Sequence, residues 1–276
     1  MANQMAFTTL GCPGWDFESI VTRAAAMGYA AIEIRGILDE LKTESIPALL
    51  PEHQARTQML LKENNIAICG IGTSAMFHNP ANTESALAEG RQALDICKRM
   101  SIPFIRVFGD AFPEGESKND VIERVAGGIM TLCEYAESLG DVRVLMEIHG
   151  EFNTPDVLGG LFNRIGQCDA FGILWDIEHS YRAVGNDIET YFNLIRPYVR
   201  HVHAKDCVIR NDALTIVLPG EGDIDIAKVV KLLVDSDYNG YYAFEWEKRW
   251  VRDLPEPEVA FPIYAQRMRE WLRSAN

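Results

Sequence analysis

One feature dominates this sequence: short β-branched or aromatic runs, each followed by a longer stretch with helical spacing, recur from end to end. "MAFTTLG" leads to "FESIVTRAAAMG", and "YAAIEIRG" to a helix over 51–63. "NIAICGIGT" leads to 83–100, "PFIRVFGD" to 118–139, and "VRVLMEIHG" to 155–168. "FGILWDIEH" leads to 187–196, "VRHVHAKD" to 224–236, and "YYAFEWE" to a final helix over 257–273. The helix assignments rest on apolar i, i+3, i+4 spacing, as in Ile224, Val229, Val230, Leu232 and Leu233, with Gly or Asn near the ends. Strands alternating with helices imply parallel pairing through right-handed crossovers. An open doubly wound sheet is the alternative architecture, but no GxGxxG follows the first strand. Eight strand–helix pairs in 276 residues match a closed (β/α)8 TIM barrel, expected as a single domain over 1–276.

Composition narrows the partners. With 47% hydrophobic and 24% charged residues the chain can bury one sizeable core. No linker or low-complexity tract interrupts it, no apolar run reaches the length of a membrane span, and "MANQMAFTTLGCPG" lacks a signal-peptide layout. The six cysteines are scattered without a CxxC pair, which fits reduced core thiols and a cytoplasmic location. A formal charge of −14 argues against nucleic acid and anionic membranes as partners.

A barrel of this class carries its chemistry at the C-terminal ends of the strands, and residues two apart on a strand share a face. Glu147 and His149 share a face in "VLMEIHG", and Asp176 closes "ILWD". His201, His203 and Lys205 share a face in "VRHVHAKD", as do Glu245 and Glu247 in "YYAFEWE". Glu33 and Arg35, and Arg106, extend the pattern to two further strands. For one strand an ion pair or a helix cap is a sufficient explanation, and Asp176 alone reads equally well as a cap. For four consecutive strands it is not, because clustered carboxylates repel one another and lose their hydration. A divalent cation removes the difficulty. Glu147, Asp176, His203 and Glu245 form the expected ligand set, an oxygen-rich site with one imidazole. Such a set suits one ion of Mn²⁺, Mg²⁺ or Co²⁺, with Mn²⁺ preferred, over a thiolate-rich structural zinc. His201, a layer deeper, reads as a hydrogen-bonded group behind the ligands. His53 reads as a solvated helix residue and His78 as a mouth residue; Trp15 and Phe108 read as packing residues that could also stack on a ligand.

These strand ends resemble the xylose isomerase-like TIM-barrel superfamily, in particular its sugar phosphate isomerase/epimerase branch, which includes ketose 3-epimerases and inosose dehydratases. The resemblance spans the whole chain and is most specific in "MEIHG", "WDIEH", "HVHAKD", "LPGEGDID" and "FEWEKRW". It implies the same four metal ligands, Glu147 and Glu245 as the acid–base pair, and His179 of the D-x-x-H motif as a substrate-binding residue. His149, Lys205 and Arg210 are further substrate-binding candidates, although Asn153 stands where the ketose 3-epimerases carry a Glu. "PGEGDID" reads as a turn with Asp223 near the cap of the next helix rather than as a phosphate cradle, since its acids would repel phosphate.

The expected activity is isomerisation or epimerisation of a ketose or related keto-polyol through an enediolate, the metal acting as Lewis acid and a glutamate taking the α-proton. A metal-dependent lyase or dehydratase acting on a keto-sugar or inosose from the same enolate is the alternative. Endonuclease IV, in the same superfamily, needs a histidine-rich zinc site and a basic groove, which six histidines and the negative charge do not fit. A non-catalytic sugar-binding barrel would have no use for a carboxylate-rich metal site. A small sugar or polyol is the expected partner, and the chain could assemble as a homo-oligomer.

Overall fold

The computed structural model describes residues 4–211 and 213–275, so the edges of the expected 1–276 domain lie outside the described residues. In chain order the regular elements are β1 (Met5–Thr8), α1 (Phe17–Met27), β2 (Ala31–Ile34), α2 (Gln54–Asn64), β3 (Ala67–Met76), α3 (Thr83–Met100), β4 (Phe104–Phe108), α4 (Lys118–Leu139) and β5 (Arg143–Glu147). They continue with α5 (Pro155–Ile165), β6 (Phe171–Asp176), α6 (Ile177–Val184), α7 (Ile188–Ile195), β7 (Val199–His203), β8 (Asp206–Arg210), β9 (Ala213–Val217), α8 (Ile226–Asp235), β10 (Tyr242–Phe244) and α9 (Pro257–Ser274). The barrel closes in the order β1-β10-β7-β6-β5-β4-β3-β2, as the alternation demands. Among the described residues no helix is long and apolar enough to cross a membrane.

The chain forms two compact units, Met1–Cys69 with His201–Asn276, and Gly70–Arg200. In the first, β1 pairs in parallel with β2 (Ala6↔Ala31, Thr8↔Glu33) and with β10 (Ala6↔Ala243), and β10 pairs with β7 (Ala243↔His203). One face carries a cluster of small residues, Ala6, Ala31, Cys69 and Ala243. Two residues further along, the same face becomes polar at Thr8, Glu33 and Glu245, all buried. The opposite face is aromatic: Phe7 stacks on Phe261 at 4.3 Å and Phe244 on Tyr264 at 4.5 Å, fastening α9 to the strands.

The second unit repeats this layering. β4 pairs with β5 (Arg106↔Leu145, Phe108↔Glu147) and β5 with β6 (Leu145↔Gly172, Glu147↔Leu174). Phe104, Leu145 and Leu174 form an apolar cluster, and the face above it carries Arg106, Glu147 and Asp176. In both units an apolar layer thus gives way to a charged one at the C-terminal strand ends.

Three departures from the expected elements have local causes. The helix expected over 155–168 stops at Ile165 because Gly166 takes φ 64°. The stretch before 187–196 contains a further helix, α6, started by the Asp176 side chain. After β7 the chain makes an unexpected antiparallel hairpin, β8–β9, turning at Asn211 with φ 51°. "PGEGDID" is a turn, as expected, but its capping residue is Asp225, whose Oδ1 accepts from Lys228 N at 3.0 Å. Asp223 instead accepts from Ile209 N at 3.2 Å and pairs with Arg210.

The turn is held by Asp206, wholly buried, whose carboxylate accepts backbone N–H groups of Cys207, Gly220, Gly222 and Ile224 at 3.0, 2.9, 3.0 and 3.4 Å. A Cβ on Gly222 would lie 2.0 Å from Asp206 Oδ1. Gly222→Ala is therefore expected to destabilise the protein by about 1–3 kcal/mol. Gly159→Ala, in the interior of α5 with nothing within 4 Å of the added methyl, should instead be neutral or stabilise by up to about 1 kcal/mol. Urea unfolding of the two variants checks the contrast.

Candidate metal centre

Glu147 ends β5 and is 1% exposed. The neighbouring strand supplies its counter-charge: Arg106 Nε lies 3.0 Å from Glu147 Oε2, and the guanidinium rests 3.9 Å over the Phe108 ring. Asp176 does two things at the end of β6. Its Oδ1 accepts the N–H groups of Glu178 (2.8 Å) and His179 (3.2 Å), starting α6, so the bland cap reading is correct as far as it goes. Its strand position also leaves it on the charged face beside β5. Trp175 Nε1 donates to Ser180 Oγ at 2.9 Å and locks that turn.

His179, in the first turn of α6, is 6% exposed, with Nε2 3.7 Å from Glu178 Oε2. Its ring centroid is 4.2 Å from that of His149. His149 is half-buried, and its Nδ1 is 2.7 Å from Asp110 Oδ1. Burial works to lower the His149 pKa, but Asp110, then Glu147 and Asp176, raise it above the ordinary imidazole value; Asp110 is correspondingly lowered by His149. Asp110 itself takes φ 74°, and its carbonyl accepts from Glu151 N at 2.7 Å. It follows "IRVF" and obeys the strand-end pattern that drew attention to the other strands, yet the sequence reading passed over it.

In the other unit, His201 and His203 project from one face of β7, and the Nε2 of each is 2.9 Å from the same oxygen, Oε2 of Glu33 on β2. Burial works to raise the Glu33 pKa, but the two imidazoles hold it far below the usual carboxylate range. His203 Nδ1 faces Glu245 Oε1 at 3.3 Å. Glu245 Oε2 accepts from Lys205 Nζ at 2.7 Å, and the same ammonium reaches Glu247 Oε1 at 2.7 Å. Burial would likewise raise Glu245, while His203 and Lys205 keep its carboxyl well below the ordinary value.

Glu147, Asp176, His203 and Glu245 are all buried, and each offers one ligand atom such that the four atoms lie within 4.8 Å of one another. Three carboxylates and an imidazole at that spacing fit a divalent ion by donor chemistry. Glu33, His201 and His203 form a second close group. Of the expected substrate-binding residues, His149 and His179 meet each other, and Lys205 is buried against Glu245. Arg210 lies on the exposed hairpin, paired with Asp223. His53 is exposed, as expected, and Trp15 is packed edge-on against Phe261. The six cysteines are free thiols.

Known proteins agree with this architecture. The chain is 26% identical to fructoselysine 3-epimerase of Escherichia coli O157:H7 over 279 aligned residues, covering 96% of each protein. It is 25% identical to inosose dehydratase of Klebsiella pneumoniae subsp. pneumoniae, covering 93% of this chain and 89% of that one. Among solved structures, the IOLI protein with a bound zinc atom superposes with a TM-score of 0.81 at 17% identity, over 99% of both chains. Residues 21–275 match the description of one family throughout, and the chain belongs to the xylose isomerase-like TIM barrel family.

Proposed function

We propose that this protein is a divalent-metal-dependent epimerase or isomerase of a ketose or related keto-polyol, acting as one barrel domain and working through removal of a proton α to a carbonyl. The observation that carries the reading is the convergence of Glu147, Asp176, His203 and Glu245 on the charged layer. These four would hold the ion, with Mn²⁺ the preferred occupant and Mg²⁺, Co²⁺ or zinc its competitors. When bound, the ion supplies electrostatic stabilisation for the negative charge that develops on a carbonyl oxygen.

The remaining work belongs to side chains. Glu147 and Glu245 are the proton carriers, and each has its own buried cation, Arg106 and Lys205, which keeps the carboxylate oriented. One carboxylate removes the α-proton and the other returns it, which inverts the carbon. Lys205 also ties Glu247 to the pair, and His149 and His179 offer imidazole nitrogens to substrate hydroxyls. The inosose dehydratase relative supports a second reading: the same abstraction, followed by departure of a β-hydroxyl as water after a glutamic acid of the pair gives it a proton. The free thiols are consistent with a cytoplasmic setting.

Purified protein incubated with Mn²⁺ and dialysed should retain about one ion per chain, the stoichiometry of one four-ligand site. Glu147→Gln and Asp176→Asn should lose much of that affinity while keeping wild-type circular dichroism. His179→Ala should keep the metal and lose about 10–100-fold in kcat/KM, the worth of a hydrogen bond of about 1.5–3 kcal/mol. In a screen of ketoses, inososes and 3-keto-glycosides in D₂O, an accepted substrate should take up solvent deuterium at the reacting carbon. An unchanged mass apart from deuterium identifies the isomerase, and loss of water the dehydratase. Migration of an α-deuterium label to the adjacent carbon would mean a hydride shift and would remove the glutamates from the acid–base role.

A further inference from the structure

Glu33 has no part in the mechanism above, yet it is wholly buried in a strand whose neighbours, Ala31, Ile32 and Ile34, are apolar. A carboxylate placed so deep answers to the groups it meets, and Glu33 meets two. The Nε2 atoms of His201 and His203 both lie 2.9 Å from its Oε2, while among the described residues its Oε1 has no hydrogen-bond partner. One carboxyl oxygen that receives two ring nitrogens at hydrogen-bond distance serves as the acceptor for both, so each imidazole presents Nε2–H to Glu33. With His203 as a ligand this leaves Nδ1 for the ion, and Nδ1 is the nitrogen that faces Glu245 Oε1, an oxygen of the same proposed ligand set, at 3.3 Å.

We propose that Glu33 is a positioning residue for the metal centre: it fixes His203 in the Nε2–H tautomer and orients the ring so that Nδ1 is the ligand atom. The inference rests on His203 being a metal ligand. His201, two residues earlier on the same face of β7, completes the device. It shares the same oxygen, its ring stands at 80° to that of His203 with centroids 5.7 Å apart, and it stops the carboxylate from turning away. A second carboxylate behind a ligating imidazole also makes that nitrogen a better donor, the usual effect of an outer hydrogen-bond partner on a metal-bound histidine. The register of the sheet makes the arrangement reproducible. Glu33 is paired with Thr8 on β1 and His203 with Ala243 on β10, so both side chains are set by strands rather than by loops.

The test measures Mn²⁺ binding to wild type, Glu33→Gln, Glu33→Asp and His203→Gln by the electron paramagnetic resonance signal of free Mn²⁺, with circular dichroism as the check of folding. Glu33→Gln is expected to bind Mn²⁺ about 10–100-fold more weakly than wild type, with Glu33→Asp recovering part of the loss. In wild type loaded with diamagnetic Zn²⁺, nitrogen-15 spectra of labelled histidine, assigned by comparison with His203→Gln, should show protonated Nε2 and unprotonated Nδ1 for His203. This second measurement needs no Glu33 variant to fold. Folded Glu33→Gln with wild-type Mn²⁺ affinity, or a His203 that carries its proton on Nδ1, overturns the assignment of Glu33 alone. Wild type that binds no Mn²⁺, or His203→Gln that binds it as tightly as wild type, overturns the metal centre and this inference with it.

Discussion

Carboxylates do not enter a protein interior without compensation, and the site of this barrel is built around that constraint. Transfer of a carboxylate from water to a low-dielectric interior carries a penalty of several kcal/mol even after relaxation. Glu33, Glu147, Asp176 and Glu245 are each 5% exposed or less. Each has a distinct compensation: two imidazoles for Glu33, Arg106 for Glu147, the amides of α6 for Asp176, and Lys205 with His203 for Glu245. Removing one partner of such a pair costs about 3–5 kcal/mol, because the other charge is left buried. Each carboxylate is therefore held in place by its own partner, which is what the proposed metal centre and proton carriers require.

The fold makes this layer possible by dividing each strand. Small or apolar residues, Ala6, Ala31 and Ala243 in one unit and Phe104, Leu145 and Leu174 in the other, fill the level below. The polar residues follow two positions later on the same face, so the strand period alone brings them to the C-terminal end. Outside, aromatic stacking of Phe7 and Phe244 on α9 supplies apolar burial that the charged layer does not.

Much of this was legible in the sequence because period-2 and period-3.6 patterns are local. The strands that end in Glu147, Asp176 and His203 and the long helices α3 and α4 lie where the pattern places them. The clustering of Glu147, Asp176, His203 and Glu245 was legible for a different reason, since repeated charges at strand ends have no economical structural explanation. What stayed hidden depends on contacts between distant segments. The anchoring of "PGEGDID" by Asp206 joins residues 14 to 18 apart through backbone amides, which carry no sequence signal. The β8–β9 hairpin does have a signal, the alternating "CVIR" and "ALTIV" around Asn211, that a search for strand–helix units skips. From sequence Asp176 reads as either cap or ligand, whereas a carboxylate has two oxygens, and Oδ1 accepts both cap N–H groups. Arg210 reads from sequence as a substrate-binding candidate, but the fold brings Asp223 to it as a partner.

Anomalous diffraction from crystals grown with Mn²⁺ tests the central claim most directly. The account predicts one strong manganese peak, coordinated by side-chain atoms of Glu147, Asp176, His203 and Glu245, with His203 bound through Nδ1. A fully occupied peak held by other residues, or no peak from protein saturated with Mn²⁺, would contradict it.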